Sequence, residues 1–86
     1  MKIRLHRNFE KQYEKLRRQE KEKFKKRRNL FLKDPFDPIL NNHPLHGKYE
    51  GYRSINITGD LRVVYEFVDR DMAYFVAIDS HSNLYS

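Results

Sequence analysis

Two stretches near the end of the chain, Leu61 to Val68 and Met72 to Ile78, are apolar on both faces when drawn as strands. Side chains of an extended segment alternate sides. A strand that is apolar on both sides belongs at the centre of a sheet covered on both faces. Asp69-Arg70-Asp71 turns the chain between the two runs. Thr58-Gly59-Asp60 makes the preceding turn, with Gly59 free to adopt positive φ. Before it, Arg53, Ile55 and Ile57 share one strand face, and Tyr52, Ser54 and Asn56 share the other. The second half therefore predicts a three-stranded antiparallel meander.

The first half reads as a strand and two helices. Lys2 to His6 alternate, with Ile3 and Leu5 on one side, and are expected to pair inside the same sheet. Asn8 suits a helix cap, and Glu10 suits the first turn. Phe9, Tyr13 and Leu16 fall on one helical face. Arg17 to Glu20 can form a helix–helix turn. Phe24, Leu30 and Phe31 give a second, weaker apolar face. Asp34-Pro35 and Asp37-Pro38 end the helical signal. Residues 34 to 51 read as a loop, with room for one more helical turn, tied to the core by Ile39, Leu40 and Leu45. Asn83 to Tyr85 offer a last short strand pairing. The expected fold is one α+β domain over residues 1–86, ordered β-α-α-β-β-β, its antiparallel sheet packed against two N-terminal helices.

Charge narrows the partners. Lys and Arg number 18 against 12 Asp and Glu, a formal charge of +6 over 86 residues. The excess is concentrated between Lys11 and Arg28, whereas the chain from Glu50 onward is slightly acidic. Such asymmetry suits a polyanion, and also suits a solvated basic helix with no partner. Lys11, Lys15, Arg18, Lys25 and Arg28 are candidates to grip RNA phosphates, which positions a substrate without reading its sequence. Tyr85 is a candidate for base stacking or for securing the C-terminus. The chain has no Cys, so disulfides, thiol nucleophiles and Cys-based zinc sites are excluded. No apolar run approaches the roughly 20 residues of a membrane span. The opening MKIRLHRNFEKQ lacks an apolar signal core. A cytoplasmic protein without a membrane partner is expected.

Four residues stand out for chemistry. Metal-free RNA cleavage uses the substrate's own 2′-OH. It needs a base for that proton, a cation for the phosphoryl oxygens and an acid for the departing 5′-oxygen. Histidine suits the proton transfers and arginine the phosphate. His43, in the loop, and His81, just past the third meander strand, are the proton-transfer candidates. Arg53, near the start of its strand, is the candidate phosphate clamp or else a surface ion-pair residue. Asp60 either orients a histidine or serves its turn locally. His46, Ser54 and Asn56 are auxiliary candidates. The His spacing matches no zinc pattern, and no metal or cofactor is expected.

The segment HPLHGKYEGYRSINITGDLRVVYEF, followed by a short strand and HSNLYS, resembles toxins of the RelE/ParE superfamily. Within it the chain is most similar to the YafQ-like branch of bacterial toxin–antitoxin modules. That branch has an Asp-His-Pro-Leu loop, a Gly-Tyr-Arg-Asp-x-His strand, a Pro-Asp turn, an apolar Ile-Tyr strand and a terminal Thr-His-x-x-Leu-Phe. By resemblance, His43 matches the loop His, Arg53 the strand Arg, Asp60 the turn Asp and His81 the terminal His. Phe67 and Leu84 match structural positions. Ser54 and Asn56 stand where the branch has Asp and His. Either catalysis rests on fewer groups, or His46 compensates, or the protein is weak or inactive.

The resemblance implies a small antiparallel sheet packed on helices and a metal-independent endoribonuclease that cuts messenger RNA in the ribosomal A site. The implied products carry a 2′,3′-cyclic phosphate and a 5′-OH. It also implies a cognate antitoxin protein, with operator DNA bound only through the toxin–antitoxin complex. In the ParE branch the same fold is associated with inhibition of DNA gyrase. A catalytically weak, RNA- or ribosome-binding protein is the remaining alternative.

Overall fold

The computed structural model of the protein describes residues 1–85. Among them, five strands form one mixed sheet, ordered β1-β5-β4-β3-β2. The elements are β1 (Lys2–Leu5), α1 (Arg7–Glu14), α2 (Arg18–Lys33), β2 (His43–Pro44), β3 (Arg53–Asn56), β4 (Leu61–Asp69), β5 (Met72–Ser80) and α3 (His81–Tyr85). The expected meander is β3-β4-β5, antiparallel throughout. β1 joins the same sheet as expected, in parallel along β5 and at the sheet's edge.

The core follows from the alternation. Ile55, Ile57, Leu61, Val63, Tyr65, Ala73, Phe75 and Ile78 meet Phe9, Phe24 and Phe31 from the helices. The aromatic rings meet edge to face or tilted; Phe31 and Tyr65 have centroids 5.1 Å apart at 84°, and Phe9 and Phe24 5.5 Å apart at 52°. Such contacts add to an area-burial gain of about 1.5–3 kcal/mol per large apolar side chain. A second, smaller cluster covers the other face, where Leu45, Val64, Ala77 and Leu84 are flanked by Tyr49, Tyr52 and Tyr85. Both faces are therefore covered over Leu61–Tyr65 of β4 and Ala73–Ile78 of β5, whereas Phe67 and Val68 near the end of β4 are exposed.

A register shift between Val64 and Tyr65 lets Ala77 and Phe75 sit opposite consecutive residues and leaves Val76 bulged. β1 reaches β5 only as far as Phe75. Beyond that point α1 satisfies the free strand edge. The Asn8 side-chain amide donates to the Val76 carbonyl at 3.1 Å, and the Gln12 side-chain oxygen accepts from the Ile78 N–H at 2.9 Å. Asn8 thus serves β5, and the α1 cap is His6, whose Nδ1 accepts from the Asn8 N–H. The turn between helices spans Lys15 to Arg17, earlier than expected. Glu20 closes it by accepting from the Arg17 N–H at 2.9 Å. That bond, with the Arg17 guanidinium, holds the Glu20 carboxyl below its usual range.

The long loop is more ordered than its composition suggests. It contains short 3₁₀ turns at Pro38–Leu40 and Gly47–Tyr49 as well as β2. Leu40 and Leu45 bind it to the core as expected, but Ile39 is 58% exposed. The C-terminal residues expected to pair as a strand instead coil into α3, which buries Leu84 against the sheet. Among the described residues, no helix is long and apolar enough to cross a membrane.

Candidate active site

β2 is short, but it sets the site. His43 pairs with Ser54 and Pro44 with Arg53. Directly opposed residues of antiparallel strands share a face. His43 therefore lies on the Ser54–Val64–Ala77 side, away from α1 and α2. α3 begins on this side, where the His81 N–H donates to the Asp60 carbonyl at 2.8 Å. A cleft of about 440 Å³ opens between them. Its walls are Asn41, His43, Pro44, Leu45, His46, Ser54, Arg62, His81 and Tyr85. Three imidazoles and one guanidinium thus share a cleft with no carboxylate in its wall.

The imidazole of His43 is oriented by the main chain. Its Nδ1 lies 2.7 Å from the Asn41 carbonyl oxygen. A carbonyl only accepts, so Nδ1 carries a proton and donates it. In the neutral ring, Nε2 is then the free acceptor. Asn41 reaches this geometry in the left-handed region, at φ 47°, which asparagine tolerates better than most residues. His81 is exposed and packs edge-on against Tyr85, with centroids 4.8 Å apart. Tyr85 donates to Ser54 at 3.2 Å and packs against Tyr49. Its ring is half-buried and secures α3 at the cleft. Ser54 is fully buried.

Arg62 occupies the place in the site expected of Arg53. It pairs with Asn56 across β3 and with Asp79 across β5. Its guanidinium is braced by the turn, donating to the carbonyls of Thr58 at 2.9 Å and Gly59 at 3.0 Å. The sequence carries a signal for it: Arg62 is the charged residue inside Leu61–Val64, an otherwise apolar run. Only one face of β4 can hold such a residue, because the other carries Val63 and Tyr65 into the core.

Arg53 does not join His43 and His81; it lines a neighbouring pocket with His46 and Glu50. It is opposite Tyr65 and so lies on the helix-facing side of the sheet. There its Nε donates to Asn42 at 2.7 Å, and its guanidinium lies over the Phe36 ring at 5.3 Å. The expected neighbourhood with His81 fails because strand parity sends the two residues to different faces. Asp60 is also absent from the histidine cleft. It lines a second cavity of about 560 Å³, with Lys11, Lys15 and Arg17 across from it. Its backbone, rather than its side chain, ties it to His81.

Asn56 does not line the cleft either, and its amide oxygen is buried without a hydrogen-bond partner among the described residues. His46 lies at the cleft rim, 3.5 Å from the Glu50 carboxylate, with both side chains largely exposed. Of the basic candidates, Lys11 and Lys15 face the second cavity. Arg18 and Lys25 are exposed on α2, and Arg28 is half-buried near Phe9 and Phe24. Phe67 is 36% exposed but packs its ring against Phe31 and Tyr65, and Leu84 is buried. No group of three or more His, Asp or Glu side chains among the described residues is arranged to hold a metal ion.

The geometry has relatives. YafQ from E. coli strain BL21(DE3) superposes with a TM-score of 0.82 at 19% identity, covering 99% of this chain and 98% of that one. The toxin in the E. coli DinJ-YafQ toxin-antitoxin complex superposes with a TM-score of 0.79 at 19% identity, covering 99% and 97%. At such identities the likeness speaks for the fold. Toxin YoeB of Synechocystis sp. is 41% identical over 58 residues, which span 63% of this chain and 67% of the relative. The family model for YafQ, a bacterial toxin of type II toxin-antitoxin systems, matches residues 1–86. The chain belongs to the YafQ family of type II toxins.

Proposed function

We propose that this toxin is a metal-independent endoribonuclease that cuts messenger RNA on the ribosome. The observation that carries the reading is the acid-free cleft in which His43, His81 and Arg62 meet. His43 Nε2 takes the proton of the 2′-OH. The 2′-oxygen attacks phosphorus, and the bond from phosphorus to the 5′-oxygen breaks. His81 gives a proton to that oxygen as it leaves. Arg62 offers its charge to the phosphoryl oxygens as their charge develops. The products are a 2′,3′-cyclic phosphate and a 5′-OH. In this scheme Arg62 takes the role expected of Arg53, and Asp60 acts by holding His81 through its carbonyl.

The basic residues of α1 and α2, including Lys11, Lys15, Arg18 and Lys25, supply the field for ribosome-bound RNA. A cytoplasmic location follows from a ribosomal substrate. A cognate antitoxin is the protein partner, by analogy with the DinJ-YafQ complex, and operator DNA is reached through that complex. The test is to map messenger 5′ ends in a reconstituted translation reaction containing wild-type protein, His43→Ala, His81→Ala or Arg62→Ala. New ends inside the ribosome-held reading frame, lost in the variants, are expected. Intact message with folded wild-type protein would sink the reading, and a DNA-supercoiling assay would then test gyrase as target.

A further inference from the structure

We infer that Asn42 is a positioning residue that sets the tautomer of His43. Its half-buried side chain fastens three parts of the fold. Nδ2 donates to the Pro35 carbonyl at 2.9 Å and to the Tyr65 hydroxyl, and Oδ1 accepts from Arg53 Nε at 2.7 Å. Tyr65 is fully buried among the core aromatics. Asn42 is thereby pinned to the helix-facing side of the sheet. The next residue, His43, begins β2 and lies on the opposite side. The preceding residue, Asn41, is held in the left-handed region with its carbonyl on His43 Nδ1.

The physical argument turns on strain. A left-handed backbone at a residue with a side chain persists where its surroundings hold it. Asn41 is exposed, and its N–H donates to the Pro38 carbonyl at 3.1 Å. Its C-terminal side is fixed by the Asn42 side chain together with the pairing of His43 with Ser54. Released, Asn41 can relax, and its carbonyl leaves His43. A free neutral imidazole favours the proton on Nε2, which would leave that nitrogen no lone pair to accept a 2′-OH proton. The catalytic meaning of the tautomer rests on the ribonuclease reading; the tautomer itself does not.

The test is long-range ¹H–¹⁵N NMR of the histidine rings at a pH where they are neutral, in wild type, Asn42→Ala, Asn42→Asp and Tyr65→Phe. Wild-type His43 is expected to show a protonated Nδ1 and an unprotonated Nε2. In Asn42→Ala the balance moves to the Nε2-protonated form, with His46 and His81 unchanged. In Asn42→Asp the carboxylate still accepts from Arg53 and from the Tyr65 hydroxyl but has no proton for the Pro35 carbonyl, so the wild-type pattern returns in part. Turnover of ribosome-bound message by Asn42→Ala falls by about 100-fold in kcat, as for a slightly misplaced reacting group, with KM little changed.

A folded Asn42→Ala protein with wild-type His43 signals overturns the inference, as does a wild-type His43 protonated on Nε2. If Asn42→Ala does not fold, Tyr65→Phe decides: removing one partner should shift part of the population, and an unmoved His43 overturns the inference. A shifted tautomer alongside a wild-type protein that never cuts RNA removes the ribonuclease reading and leaves the positioning role standing.

Discussion

Arg62 and Arg53 stand on opposite faces of the same pair of strands. Arg62 is registered against Asn56 and Arg53 against Tyr65; Arg53 and Asn56 are an odd number of positions apart on β3, so the two arginines point to opposite sides. One arginine therefore lines the histidine cleft, and the other braces the loop against the helix-facing side. The two substitutions are expected to separate cleanly. Arg62→Ala should lower cleavage by about 10²–10³ with little loss of stability. Arg53→Ala should cost about 1–3 kcal/mol in urea unfolding, by stranding the Asn42 oxygen, and should lower cleavage far less than Arg62→Ala, only to the extent that a loosened Asn42 lets the His43 tautomer shift, when assayed well below its melting temperature. Equal loss of activity in two equally stable variants would contradict this division.

His43 and His81 are expected to work as a pair. Replacing either by Gln should reduce single-turnover cleavage of ribosome-bound message by about 10²–10⁴. The double variant should lose much less than the product of the two losses, because groups acting in one step are not additive. His46→Gln, at the exposed rim, should stay within a few-fold of wild type. A dominant effect at His46 would instead mean that it has taken over one of the proton transfers.

Tyr65 gives a pH signature at the alkaline end. Burial raises its phenol above the ordinary value, against the lowering effects of the Asn42 bond and the Arg53 charge. Above about pH 10, where an unfolded tyrosine ionises, the unfolded chain binds fewer protons than the native one. Stability then falls as pH rises. Tyr65→Phe should remove part of that slope, measured as unfolding free energy between neutral pH and the alkaline limit. The same slope in both proteins would mean that Tyr65 does not carry it.

The basic helices should act through charge number rather than base identity. Replacing Lys11 and Lys15 by Gln should weaken binding to single-stranded RNA about equally across sequences. The slope of log affinity against log salt should shrink by about 0.7 for each phosphate no longer neutralised. An unchanged slope would place the RNA contacts elsewhere, with the exposed Arg18 and Lys25 of α2 as the next positions to neutralise.

Period and composition carried much of the fold. The doubly apolar runs Leu61–Val68 and Met72–Ile78 specify central strands, because alternation is a local property of extended backbone. Phe9, Tyr13, Phe24 and Phe31 specify helix faces for the same kind of reason. What local pattern does not encode is which neighbour a strand edge meets. β1 lies at the edge in parallel with β5, and the last residues coil as α3 because Leu84 can then be buried on the open face.

His43 and His81 stand out in the sequence because their residue type carries proton-transfer chemistry near neutral pH; that Arg62 rather than Arg53 lines one cleft with them does not show there. Sequence alternation places Arg53 and Ser54 on different sides, but does not say which side the helices will cover. That choice is made by tertiary packing: Phe9, Phe24 and Phe31 claim the face of Ile55, Val63 and Tyr65, which leaves Ser54, Arg62 and His43 to the cleft. Strand and helix periods, and the supply of His and Arg, lie in the local pattern of residues. Which of those groups meet depends on long-range packing, since a face becomes a site only when the other one has been covered.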